Sequence, residues 1–179
     1  MTKSIDSMYE KIKEIGEDNA GIVTTRQIEE AGIYRGVIKN FVEDGRLIKE
    51  SKGLYSIADE MPDEYALLQK RSEKMIFSYE TALYLWGILD RVPHSISVTV
   101  PQGFNSTRIK KNNEKTKFHY VQKDVGDIGI TYTETSMGSR VMLYDKERCI
   151  CDLVEWVLFD ENTEKVYERE VDKLYKELK

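Results

Sequence analysis

The side chains able to hold a metal or attack a bond are few. Cys149 and Cys151, one residue apart, and two histidines, His94 and His119, are the soft donors of the chain. Structural zinc takes four ligands, usually with two residues or more between paired cysteines, and the remaining acids complete no such set. Beside an apolar helical stripe, a cysteine behaves as a small hydrophobe. Asp152 and Glu155 fall one helical turn apart and, with Asp145, could be drawn as a carboxylate site. The same spacing is common on a solvated helix face. The chain has neither a glycine-rich phosphate loop nor a GxSxG elbow. Catalysis finds no foothold, so no metal or cofactor is expected and the protein does not read as an enzyme. A nuclease or nucleotidyl-transferring activity at Asp145 and Asp152 is kept as an alternative.

The chemistry of recognition is better represented. Tyr34, Arg35, Lys39 and Asn40 cluster in one short stretch. Arginine can bind guanine bidentately and asparagine can bind adenine, while lysine and tyrosine suit phosphate oxygens. Thr25 and Arg26 open a short helix, where free N–H groups attract phosphate. Ser51 and Lys52 stand at a hairpin tip that could meet an adjacent phosphate or minor groove. Arg108, Lys110, Lys111, Lys115, Lys117 and Lys123 face a single Glu114 between Pro101 and Lys123. A loop that basic can lie along phosphates and lengthen the footprint, with the duplex bending toward it. These twelve positions — Thr25, Arg26, Tyr34, Arg35, Lys39, Asn40, Ser51, Lys52, Arg108, Lys110, Lys111 and Lys115 — are the expected contacts to double-stranded DNA. The competing reading for each is a solvated surface, and for the whole a protein-interaction module.

The elements that must position these residues can be read from spacing. Ile5, Met8, Tyr9, Ile12 and Ile15 keep helical periodicity to about Glu17. Gly21-Ile22-Val23 is a brief extended piece. Thr24-Thr25-Arg26-Gln27 fits a capping box, opening a helix through Ala31 that Gly32 ends in the left-handed conformation. A third helix spans Tyr34 to Asp44, closed by Gly45. Ile38, Phe41 and Val42, with Val37, face the core, and Gly36 leaves room for the backbone to approach DNA. Arg46 to Glu50 and Leu54 to Ile57 form two strands around Ser51-Lys52-Gly53. Three helices followed by a two-stranded wing is the order of a winged helix-turn-helix, assigned to residues 1–59.

Residues 60–179 read as a second domain. Helices are expected from Pro62 (in the first turn) to Glu73 and from Ser78 (as N-cap) to Leu89. Strands are expected at Ser95–Val100 (Ile96, Val98 and Val100 sharing a face), Lys117–Val121, Gly129–Thr133 and Arg140–Tyr144. Asp145 caps a helix with the stripe Ile150, Leu153, Val154, Val157, Leu158, and a last helix carries Tyr167, Val171, Leu174 and Leu178. The Tyr and Trp residues between Tyr79 and Gly87 read as core. The fold class is α+β: the winged domain, then a mixed α/β domain with a short sheet flanked by helices.

Across 179 residues, hydrophobic types make up 40% and charged types 33%, enough for a real core and a polar surface. No run approaches the roughly 18 apolar residues of a membrane span. The amphipathic start lacks a signal peptide's apolar stretch, and the closely spaced cysteines fit a reducing compartment. A cytoplasmic protein without a membrane partner is expected. The net charge of −5 neither supports nor excludes DNA, because the local field at the docking face decides attraction.

The N-terminal order, followed by FSYETALYLWGILDRVPHSISVTVPQG and later LYDKERCICDLV, resembles the AbiEi antitoxin family of bacterial abortive-infection systems. The resemblance covers nearly the whole chain. Its more specific part lies in the second domain: Ser78 to Leu89 with Ala82, Leu85 and Gly87, then Pro93, Val98-Thr99-Val100-Pro101, and Asp145 to Asp152. It implies an antitoxin of a type IV toxin-antitoxin pair, opposing a nucleotidyltransferase-like toxin without a stable complex. The family's winged domain represses the shared operon at promoter inverted repeats, and its C-terminal domain supplies antitoxic activity. Tyr34, Arg35, Lys39, Asn40, Ser51 and Lys52 occupy the recognition positions. Dimerisation on DNA is expected if the operator holds inverted repeats, since half-site symmetry then needs two protomers; no dimer signature is visible, so a monomer in solution that assembles cooperatively on DNA is the expectation. The segment after Leu158, short and charged, is where the chain departs from longer relatives.

Overall fold

The structure, a computed structural model, describes residues 2–159. The expected final helix with Tyr167, Val171, Leu174 and Leu178, and the side chains of Val157 and Leu158, lie outside the described residues. The chain divides into two compact units, residues 1–72 with 134–140, and residues 73–133 with 141–179.

The first unit runs α1 (Thr2–Glu17), β1 (Ile22–Thr24), α2 (Thr25–Glu30), a 3-10 turn (Arg35–Val37) leading into α3 (Ile38–Glu43), β2 (Leu47–Ser51), β3 (Leu54–Ile57) and α4 (Glu64–Gln69). The capping box forms as its sequence dictates. The Thr24 hydroxyl accepts from the Gln27 N–H, and the Gln27 side chain accepts from the Thr24 N–H. Such a cap is worth about 1 kcal/mol. Gly32 and Gly45 take φ of +79° and +71°, the left-handed region where a Cβ is penalised, and close α2 and α3. The extended piece before α2 is a true strand: β1 pairs antiparallel with β3, giving the three-stranded order β1-β3-β2. Tyr9, Ile12, Val23, Ile28, Ile33, Ile38, Phe41, Leu47 and Ile57 form one buried cluster, with Met8, Ile15, Val37 and Val42 packed against it. Ile5, expected on that face, is exposed.

Residues 60–72, read from the sequence as the start of the second domain, pack with the first unit. Asp63 is buried; its carboxylate accepts from the Tyr65 and Ala66 N–H groups and from the Thr135 hydroxyl. Asp63 is therefore the N-cap of α4, and Pro62 precedes the helix instead of sitting in its first turn. Glu50 on β2 accepts from the Ser56 hydroxyl at 2.9 Å and pairs with Arg71 at 3.5 Å, joining hairpin and α4.

The second unit contains β4 (Ile76–Phe77), α5 (Tyr79–Leu85), β5 (Ile96–Pro101), α6 (Thr107–Asn112), β6 (Thr116–Val121), α7 (Lys123–Gly126), β7 (Ile130–Glu134), β8 (Arg140–Tyr144) and α8 (Lys146–Phe159). Its five-stranded mixed sheet has the order β6-β5-β4-β8-β7. β4 lies antiparallel to β5 and parallel to β8, and β5 is parallel to β6. The central strand β4 is not among the strands expected from the sequence. On β5, Val98 and Val100 are buried as expected, but so are Ser97 and Thr99 on the opposite face. Their polar groups are satisfied inside: the Ser97 N–H donates to Thr81 Oγ1 at 2.8 Å, and the Thr99 hydroxyl donates to Ser78 at 2.9 Å. Ser78 holds the N-cap position of α5, but its side chain makes no capping bond. On α8 the buried face is Cys149, Asp152 and Leu153, while Val154 is exposed. Leu153 is buried as expected, and Asp152 beside it is paired with Arg148, with Nε–Oδ1 at 2.6 Å. Among the described residues no helix is long and apolar enough to cross a membrane.

Candidate nucleic-acid interface

The segment expected as one α-helix from Tyr34 to Asp44 starts with a 3-10 turn and becomes α-helical only at Ile38. Gly36 in its first turn is a weak helix former, about 1 kcal/mol poorer than alanine. The amphipathic division holds. Ile38 is 3% and Phe41 0% exposed, whereas Arg35, Lys39 and Asn40 face water and Tyr34 is 75% exposed. Lys39 is not an unshared cation: its Nζ lies 3.3 Å from Glu43, one turn along.

Thr25, Arg26, Ser51 and Lys52 come together. The Thr25 N–H donates to the Gly53 carbonyl at 2.9 Å, fastening the hairpin tip to the start of α2. The register pairs Ser51 with Leu54, so the turn is Lys52-Gly53 and Ser51 belongs to β2, beside a bulge between Lys49 and Ser51. The N–H groups of Thr24, Thr25 and Gln27 are engaged within the protein. Arg26 Nε sits 2.7 Å from Glu30, and that hydrogen bond raises the guanidinium above its ordinary pKa. Any phosphate reaching Arg26 or Lys39 must compete with an acid already in place. Glu30 and Glu43 are the partners of these cations that reading the cations alone misses. Their i,i+4 spacing was the available signal.

Replacing Glu43 with glutamine should therefore strengthen DNA binding by about twofold, because an exposed ion pair is weak and Lys39 is released toward phosphate. Fluorescence anisotropy of a labelled promoter duplex checks this; an unchanged or lower affinity would contradict it.

The remaining expected contacts belong to the second unit. Arg108, Lys110 and Lys111 lie on α6, and Lys115 precedes β6, so the expected basic loop is largely a helix. Ile109, 9% exposed, anchors it. Lys110 Nζ stands 5.4 Å from the Phe118 ring centroid, a cation–π contact that occupies part of its charge. Arg108, Lys111 and Lys115 are exposed.

Elsewhere in this unit, His119 stacks on Tyr79 with ring centroids 4.1 Å apart, and burial, helped by Lys117, lowers its pKa. Cys149 is buried and its thiol pushed up by burial, whereas Cys151 is exposed. Among the described residues no three His, Cys, Asp or Glu side chains stand close enough together to hold a metal ion.

Residues 10–58 match a family model described as "Transcriptional regulator, AbiEi antitoxin". The resemblance to AbiEi antitoxins read from the sequence is thus met in the first unit, whereas the motifs that seemed more specific lie outside the matched residues. No curated protein matches the chain. Among solved structures, the crystal structure of RV2827C protein from Mycobacterium tuberculosis is similar, with a TM-score of 0.54 at 15% identity. That match covers 80% of this chain and 59% of the other, so the chain spans well under two thirds of that protein's length. The likeness is one of fold.

Proposed function

We propose that the chain is a cytoplasmic, sequence-specific DNA-binding antitoxin that represses its own operon and opposes a nucleotidyltransferase-like toxin. The observation that carries this reading is α3 with the 3-10 turn before it, whose apolar side is buried and whose exposed side presents Arg35, Lys39 and Asn40, within a segment that matches AbiEi regulators. On this reading α2, α3 and the β2–β3 hairpin act as a winged helix-turn-helix. Arg35 and Asn40 read base edges; Lys39, Tyr34, Thr25, Arg26, Ser51 and Lys52 hold the backbone. Arg108, Lys110, Lys111 and Lys115 add phosphate contacts. The protein is a monomer in solution, and two copies assemble on promoter inverted repeats, since half-site symmetry needs two protomers. Residues of the second unit supply the antitoxic activity without a stable toxin complex.

The two kinds of contact separate experimentally. Arg35→Ala should cost about 1–3 kcal/mol of binding and relax specificity at one position, whereas Lys39→Ala should weaken all sequences alike and lower the salt slope by about one. Equal, sequence-independent losses from both would remove base reading from Arg35. Co-expression with the toxin completes the test: Arg35→Ala should lose repression but still restore growth. Growth that fails with repression lost would tie the two activities to one surface.

A further inference from the structure

Gly36 is not required by its backbone, since it is absent from the glycines at positive φ. What its missing Cβ makes room for is the neighbouring ring. A Cβ at position 36 would lie 2.3 Å from Tyr34 Cε1, 2.9 Å from Cδ1 and 3.2 Å from Cζ. The Tyr34 ring fills the space a side chain would take, yet the residue stays 75% exposed. An aromatic ring lies over the 3-10 turn that leads into α3, mostly in water, in space that a residue without a Cβ leaves open. We infer that Gly36 is a positioning residue that presents the Tyr34 ring as an apolar reader of a thymine methyl group in the major groove. The inference rests on the DNA-binding reading above. It differs from that reading in assigning Tyr34 to a base instead of a phosphate, and Gly36 to the ring instead of to backbone approach.

The chemistry favours the methyl group. The ring carbons, not the hydroxyl, are what lie over Gly36. Apolar contact with the thymine C5-methyl is an established way of distinguishing thymine in the major groove. Arg35 beside it and Lys39 one turn on supply the polar contacts that keep the helix in register.

The test is a double-mutant cycle by anisotropy, using wild type, Tyr34→Ala, Gly36→Ala, the double variant and Tyr34→Phe. Each is titrated with a promoter duplex and with the same duplex carrying deoxyuridine for thymidine. Losing one buried methyl corresponds to a roughly fourfold weaker affinity. Gly36→Ala should show that loss in wild type and none in the Tyr34→Ala background, and Tyr34→Phe, whatever its affinity, should keep the wild-type ratio between the thymidine and deoxyuridine duplexes. Deoxyuridine should weaken the wild type and leave Tyr34→Ala unaffected. Multiplying losses for Tyr34→Ala and Gly36→Ala, or a deoxyuridine effect that persists without the Tyr34 ring, would overturn the inference. So would a Gly36→Ala protein that fails to fold, because alanine is compatible with that backbone. A wild type that binds neither duplex would instead remove the DNA-binding reading itself.

Discussion

Replacing Phe41 with alanine is expected to destabilise the first unit by about 3–5 kcal/mol and to abolish DNA binding with it. Phe41 is 0% exposed, its ring 5.5 Å from that of Tyr9, within the cluster that also holds Ile12, Ile28, Ile38 and Leu47. With Ile38 it seats α3 on the rest of the unit, so the exposed side chains of α3 lose their platform when it goes. Domains of this size carry about 5–15 kcal/mol in total, so the loss removes a large share of it. Phe41→Leu, which keeps most of the volume, should cost less than about 1.5 kcal/mol and retain binding. Urea denaturation followed by circular dichroism reads both. A Phe41→Ala midpoint equal to wild type would mean that α3 is not seated by this core.

Arg148→Ala should be comparably damaging to the second unit. The Arg148 guanidinium donates through Nε to Asp152 at 2.6 Å and through Nη1 to the Val125 carbonyl at 2.7 Å, and it lies 4.7 Å from the Tyr144 ring centroid. Its side chain is 12% and that of Asp152 7% exposed. Removing one partner of so buried a pair costs about 3–5 kcal/mol, because the other charge stays in a low-dielectric site. The variant Arg148→Met with Asp152→Leu, which removes both charges and keeps apolar bulk, should recover much of that loss. On the proposed division of labour, Arg148→Ala loses growth rescue while promoter affinity persists. A single-site loss no larger than that of an exposed ion pair would show the pair to be peripheral.

Much of the first unit was legible because its signals are local. Thr24 and Gln27 announce a cap within four residues, Gly32 and Gly45 mark helix ends, and Ile38 with Phe41 fixes which side of α3 turns inward. What was not legible depends on partners distant in sequence. β4 is only Ile76–Phe77, too short to show a period, and exists because β5 and β8 flank it. α4 joins the first unit through Asp63 and Thr135, 72 residues apart. Asp152 is buried on α8 beside Leu153 and paired with Arg148, a burial that hydrophobic spacing does not count. α6 carries one buried apolar residue, Ile109, among basic and polar neighbours, so composition reads as loop. At the candidate site, the cations were visible and their i,i+4 acids were passed over. The placement of the Tyr34 ring over Gly36 needed atomic positions.

The central claim is that the exposed side of α3 reads a particular duplex. Anisotropy of the wild-type protein with the DNA upstream of its own gene, and with a scrambled duplex of equal length and composition, tests it directly across a salt series. The account predicts that upstream DNA binds at least about a thousandfold tighter than the scrambled duplex and that both affinities fall steeply with salt. Equal affinities for the two duplexes, or no binding to either at low salt, would contradict it.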